Sequence, residues 1–174
     1  MLSFKTFETE RLTLIPTSED DAAFLLELFN TPKWLKYIGD RNIRTVDDAR
    51  TYVREKIRSQ LERLGFASYT IVQKSDGQKI GMCGLYDRVG LEGIDIGFAL
   101  LPEFEQKGFA FEAVNRLKQA AFDEFGLTEI LAITLPENVS SQKLLEKLGL
   151  KYVGLFRLPN DNEDLFLYRI SSCS

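Results

Sequence analysis

The hexapeptide Glu105-Gln106-Lys107-Gly108-Phe109-Ala110 places a glycine and a lysine at the start of a helical pattern. That combination binds anions. Gly108 has no Cβ, so a ligand phosphate can come close to the backbone, and Lys107 adds a point charge beside it. Ala110, Ala113, Val114, Leu117, Ala121 and Phe125 recur at three- and four-residue steps, and Gly126 ends the run. A helix starting at Gly108 leaves its first backbone N–H groups free and aims them, with the helix dipole, at one point. The same residues also fit an ordinary strand-to-helix turn.

The chain contains no histidine. This excludes Ser-His-Asp and Cys-His nucleophiles and every His-ligated metal site. Acid–base work must fall to carboxylates, tyrosine, lysine, cysteine, the N-terminus or water. Cys83 and Cys173 are too few for a four-ligand zinc site and too far apart to suggest a disulfide framework. Cys83, inside KIGMCGLYD, reads as a small core residue. No metal is expected. Neither G-x-x-x-x-G-K-[ST] nor G-x-G-x-x-G occurs, which argues against a nucleotide-binding domain of those types.

The elements that must position the loop are legible on both sides of it. Residues 93–101, GIDIGFALL, read as a strand with Ile94, Ile96, Phe98 and Leu100 on one face and Asp95 on the other. Pro102 lacks an N–H and biases Leu101 towards an extended conformation, so the strand stops there. Upstream, 10–17 reads as the first strand. Ser18 with Asp21 and Thr45 with Asp48 make capping-box starts for two helices, the second closed by Gly65. Between them, 31–45 reads as a short helical turn and loop carrying Pro32, Trp34, Tyr37 and Gly39. Residues 66–74 and 79–87 read as a hairpin around Asp76-Gly77. Downstream come a strand over 128–136, a short helix with Leu144, Leu145 and Leu148 inward, and two last strands over 151–158 and 164–170.

With 174 residues, the chain fits one domain, 1–174, with a substantial core. A net charge of −4 argues against a nucleic-acid binder, which needs a basic field. No stretch approaches the ~20 apolar residues of a membrane span. The first residues, MLSFKTFETERL, lack an apolar signal core, so a cytoplasmic location is expected.

PEFEQKGFAFEAV, residues 102–114, resembles the coenzyme A pyrophosphate motif of the GNAT family of N-acetyltransferases. Gly108 and Ala110 occupy two of its fixed places. Glu105 departs from the family's Gln or Arg, and Gln106 stands where relatives often carry glycine. A second segment, LPENVSSQKLLEKLGLKYVG, resembles the family's later motif, with Asn138, Ser141, Glu146, Lys147, Gly149 and Gly154 in place. Leu150 replaces the usual Phe, and Leu145 stands where many relatives have Tyr. Pro102-Glu103, Glu112-Ala113 and Leu145 resemble the ribosomal-protein alanine acetyltransferase (RimJ/RimL-like) branch. The element order β-α-α-β-β-β-α-β-α-β-β extends the likeness over nearly the whole chain.

The resemblance implies an α+β fold with a mixed, mostly antiparallel central sheet flanked by helices. It implies acetyl-CoA as co-substrate and direct attack by a primary amine, without a metal or a covalent intermediate. Phe98, Leu100 and Leu101 would bind the pantetheine arm, the backbone around Leu100 and Leu101 polarising the thioester carbonyl. Gln106, Lys107, Gly108, Phe109 and Ala110 would hold the pyrophosphate, and Asn138 would hydrogen-bond the pantetheine. With no Tyr at 145, Ser141 is the candidate donor to the leaving thiolate; the other reading of Ser141 is an N-cap of the helix beginning there. Asp95 matches the acidic position before Ile-Gly in relatives and could take the amine's proton through water; the other reading is a solvated strand carboxylate. Trp34 and Tyr37 could wall the acceptor pocket, with Gly39-Asp40-Arg41 beside them, or simply belong to the core. The acceptor could be a protein or peptide N-terminal amine, as the branch suggests, or a small-molecule amine such as a polyamine or aminoglycoside. A module that binds acyl-CoA without transferring it is the alternative from another class. The oligomeric state, monomer or homodimer, is left open.

Overall fold

The computed structural model describes residues 4–172; Cys173 lies outside the described residues. A two-residue strand β1 (Phe7–Glu8) precedes β2 (Leu12–Pro16). Ser18 then opens a capping box: its side chain accepts a first-turn N–H, while Asp21 Oδ2 accepts the Ser18 N–H at 2.9 Å. α1 (Ala22–Leu28) follows. α2 (Pro32–Tyr37) starts with Thr31 as cap and Pro32 in the first turn, where a missing N–H costs nothing. A second capping box, Thr45 with Asp48, opens α3 (Val46–Tyr52), and the chain continues through Val53–Arg58 into α4 (Ser59–Leu64). Gly65, at φ +86°, closes it.

The sequence leads one to expect a single regular helix over this last span, but Val53–Arg58 winds more widely, with i→i+5 hydrogen bonding. The apolar repeat explains the difference. Ala49, Val53, Ile57 and Leu61 are spaced by four and are all buried. On a regular helix each four-residue step overshoots one turn by about 40°. A wider turn slows that rotation and keeps all four on the core side.

The remaining elements are β3 (Ser68–Gln73), β4 (Lys79–Asp87), β5 (Ile94–Leu100), α5 (Phe109–Asp123), β6 (Glu129–Thr134), α6 (Val139–Lys147), β7 (Lys151–Phe156) and β8 (Leu165–Ser171). The eight strands form one sheet in the order β1-β2-β3-β4-β5-β6-β8-β7. Every neighbouring pair is antiparallel except β5 and β6, so the sheet is mixed and mostly antiparallel, as expected. Two apolar layers cover it. On one face α5 packs Val114, Leu117 and Ala121 against Leu14, Ile80 and Ile96, with Leu145 of α6 in the same layer. On the other, α1 to α4 pack Leu25, Phe29, Val53 and Ile57 against Met82 and Leu101. Among the described residues no helix is long and apolar enough to cross a membrane.

One irregularity of the sheet matters most. β4 and β5 are paired continuously from Gly81 with Leu100 to Asp87 with Ile94. β5 and β6 pair only where Asp95 meets Leu131. Beyond that point the two strands part, and the centre of the sheet opens.

Candidate active site

A cleft of about 800 Å³ runs through this opening and is lined from both faces of the sheet. Strand alternation decides which backbone groups it receives. The Leu101 N–H donates to the Ile80 carbonyl at 2.8 Å, towards β4. Successive N–H groups of a strand point to opposite edges. The N–H groups of Phe98 and Leu100 are therefore turned to the edge that β6 has left. Both residues line the cleft. Leu101 corrects the expectation from sequence: it is buried beneath α1–α4, its N–H already has a partner, and it is not part of the cleft wall. Across the gap, Thr134 at the end of β6 lines the cleft, and its buried Oγ1 has no hydrogen-bond partner within the protein. A buried hydroxyl of this kind fits a polar ligand such as an amide-bearing pantetheine arm.

The glycine loop closes the α5 end of the cleft. Gly108 is the N-cap of α5 at φ +81° and supplies no side-chain cap, so the first N–H groups of a fifteen-residue helix are free. Gln106 sits at φ +60°, the left-handed region that favours glycine, which explains why a glycine is common at this place in the family pattern. Gln106, Gly108, Phe109 and Ala110 all line the cleft. Lys107 does not. Its ammonium lies 5.9 Å from the centre of the Phe104 ring, and its carbonyl accepts from Arg11 Nη1 at 3.0 Å. Arg11 is a residue that sequence reasoning missed. It is bonded to Glu112 at 2.7 Å and stacked 4.2 Å from the Phe109 ring centre, and so ties the loop to β2 from 96 positions away. Glu105, the departure from the family pattern, lines the cleft but is ion-paired with Lys33 of α2. Its charge is thereby offset.

On the same face, Asn138 is the N-cap of α6, and its Oδ1 accepts the Ser141 N–H at 3.4 Å. Ser141 is therefore not the cap. It stands in the first turn of the helix, half-buried, and lines the cleft together with Asn138. Leu145, one turn further on, is buried.

Asp95 lies on the opposite face, at the last point where β5 and β6 pair. It is not a solvated strand carboxylate: it is 1 % exposed. Arg88 Nε donates to its Oδ1 at 2.9 Å. Burial pushes the carboxyl up from an ordinary 3.8 to about 6, against the opposing pull of the Arg88 charge and hydrogen bond. A buried carboxylate with this titration, in a cleft, has the character of a general base at neutral pH. Trp34 and Tyr37 both line this end, and Trp34 is also core, stacked on Phe29 at 4.2 Å. Of the Gly39-Asp40-Arg41 turn, Arg41 reaches the cleft, whereas Asp40 is engaged with Arg44 at 2.6 Å. Tyr52, Lys56, Gln60, Tyr86 and Arg88 complete this wall. None of them carries a motif, and they come from α3 to α4 and from the end of β4.

A family model described as an acetyltransferase (GNAT) domain matches residues 11–151. The uncharacterized N-acetyltransferase p20 of Bacillus licheniformis is 33 % identical over 156 residues, covering 88 % of this chain and 86 % of that one. Among solved structures, an acetyltransferase from Agrobacterium tumefaciens str. C58 superposes with a TM-score of 0.83 at 23 % identity, covering 99 % of this chain and 97 % of that one. The ribosomal-protein-S5-alanine acetyltransferase from Vibrio fischeri superposes with a TM-score of 0.78 at 21 % identity, covering 96 % of each chain. At these identities the two structures speak to the fold alone. The family match over most of the chain, on a sheet that opens beside a glycine-capped helix, identifies the protein as a member of the GNAT family of N-acetyltransferases, with acetyl-CoA as its co-substrate.

Proposed function

We propose that this N-acetyltransferase acetylates the α-amine of a peptide or protein N-terminus by direct transfer, with Asp95 as the base. The observation that carries the reading is the place of Asp95. Its buried carboxyl titrates near 6, and it sits on the sheet face opposite the coenzyme loop, where β5 and β6 part. An amine entering from the α2–α4 side meets the thioester from the face away from α5 and α6. As its nitrogen bonds to the acetyl carbon, its proton passes to Asp95, directly or through water. The open-edge N–H groups of Phe98 and Leu100 are placed to stabilise the carbonyl oxygen as it gains charge. On the other side, the carbon–sulfur bond breaks and Ser141 can donate a hydrogen bond to the leaving thiolate, whose free thiol has an ordinary pKa of ~8.5. Gln106, Gly108, Phe109 and Ala110 hold the pyrophosphate by backbone, and Asn138 retains its side-chain N–H groups for the pantetheine.

The preference for an α-amine follows from proton energetics. An α-amine has a pKa of ~7.7–8.0 and a lysine amine ~10.4. Neutralising them at pH 7 costs ~1–1.4 and ~4.6 kcal/mol respectively. A base titrating near 6 can meet the first cost far more easily than the second. The likeness of the motifs to the RimJ/RimL-like branch supports the same acceptor class. The alternative of a non-transferring acyl-CoA binder loses one of its grounds, because Glu105 is paired with Lys33 rather than facing the phosphates alone. The test is coenzyme A release with two matched peptides, one with a free α-amine and a blocked lysine, the other reversed. The first is expected to react faster; equal or reversed rates would remove the α-amine preference and leave the acetyltransferase.

A further inference from the structure

The charges lining the acceptor end of the cleft do not cancel. On the Asp95 face two carboxylates reach the cleft, and each has its own cation: Asp95 is held by Arg88 at 2.9 Å, and Asp87 by Arg63 at 3.0 Å. Arg41 and Lys56 line the same end. Among the described residues neither has a carboxylate within ion-pairing distance nor a side-chain hydrogen bond, although the chain as a whole carries a net charge of −4. A third donor stands with them. The Trp34 indole N–H, which can only donate, is buried without an acceptor, and Trp34 lines the same cleft. Arg41 is half-buried and Lys56 exposed, so their field is partly screened; even so, two cations without a protein partner beside an unmet buried donor favour a ligand that brings anionic oxygen.

We infer that the acceptor carries a carboxylate within a residue or so of its reacting amine, with Arg41 and Lys56 as the groups that select it. The inference rests on the proposed acetyl transfer to an α-amine and narrows its substrate class. The same cations act against polyamines and aminoglycosides, whose charges are all positive.

The experiment reads equilibrium binding, so it does not depend on turnover. Trp34 is the single tryptophan of the chain and lines the cleft, which makes its fluorescence a direct reporter. The protein saturated with coenzyme A is titrated with three tripeptide amides bearing free α-amines: Ala-Asp-Ala, Ala-Asn-Ala and Ala-Lys-Ala. The Asp peptide is expected to bind about tenfold tighter than the Asn peptide, as one charge-assisted contact allows. The Lys peptide should bind most weakly. The Asp advantage should shrink with added salt, and should be lost in the Arg41→Gln/Lys56→Gln double variant, whose fold is checked by its melting temperature. Equal or undetectable binding of the three peptides by the wild type overturns the inference, as does an Asp advantage that survives in the folded double variant. Acetylation of the Asn or Lys peptide at its α-amine would in those cases leave the broader acetyl-transfer reading intact.

Discussion

At the α5 end of the cleft, recognition is built from backbone; at the Asp95 end, it is built from side chains. The coenzyme loop offers the free N–H groups of a helix capped by Gly108, a Gln106 held at positive φ, and the open edge of β5. The acceptor wall collects Trp34, Arg41, Lys56, Tyr86, Arg88 and Asp95 from four separate stretches of chain. Backbone donors are the same whatever residue carries them, so on the proposed reading the first end would hold a phosphate despite sequence changes such as Glu105. The second end depends on each side chain, and its selectivity can change one residue at a time.

The sharpest way to break this contrast is to damage the backbone end. Coenzyme at a hundredfold above its Kd stabilises by ~2.7 kcal/mol, about 5–10 °C in melting temperature for a domain of this size. Gly108→Glu is expected to abolish that shift, because it adds charge at the phosphate and forces a side chain on a residue at φ +81°. Gly108→Ala, which strains without charge, should retain part of it. A full shift in Gly108→Glu would place the coenzyme elsewhere.

Asp95→Asn tests the side-chain end. A positioned base contributes ~10²–10⁴-fold, so kcat/KM at neutral pH should fall by at least ~10²-fold and recover partly at high pH, where the amine deprotonates unaided. A uniform loss at every pH would make Asp95 structural. Stability supplies a second readout. The folded carboxyl titrates at about 6, above its ordinary 3.8, so the folded protein holds that proton more tightly. The associated stability is fully present below pH 3.8 and is lost as pH rises through 6. The loss is about 3 kcal/mol in all. Asp95→Asn does not titrate there, and its melting temperature should gain on the wild type between pH 4 and pH 7.5.

Smaller effects sharpen the comparison. Arg88 pulls the Asp95 titration down, so Arg88→Gln should move the acid limb of the kcat/KM profile upwards from about 6 and leave the alkaline side in place. An unmoved limb would mean that another group is the base. Lys33→Met uncovers the charge of Glu105 and should weaken coenzyme binding by up to about fivefold, the ceiling for a partly exposed pair. Gln106→Gly relieves a positive φ but adds freedom to the unfolded chain, so calorimetry should register a change of no more than ~1 kcal/mol.

The sequence by itself determined the elements and the glycine-capped loop before α5. Both capping boxes, the Asp76-Gly77 hairpin, the strand ended by Pro102 and the helix capped by Gly108 lie where local pattern put them. All of these depend on residues within a few positions of one another, and that is the range over which propensity and capping act. Tertiary structure decided what depends on long-range pairing. The parting of β5 and β6 after Asp95 and Leu131 is a property of two strands about thirty-five residues apart, and no local pattern encodes it. That parting exposes the Phe98 and Leu100 N–H groups, while the continuous ladder to β4 gives the Leu101 N–H a partner. The burial of Asp95 and its pairing with Arg88 were equally illegible, since alternation fixes the face of a strand on which a residue lies but not what covers that face. Lys56 carried no signal in the sequence, and Arg41 only the resemblance that set Gly39-Asp40-Arg41 beside the acceptor pocket, for the same reason: only the fold brings a charge to a cleft and leaves it without a partner.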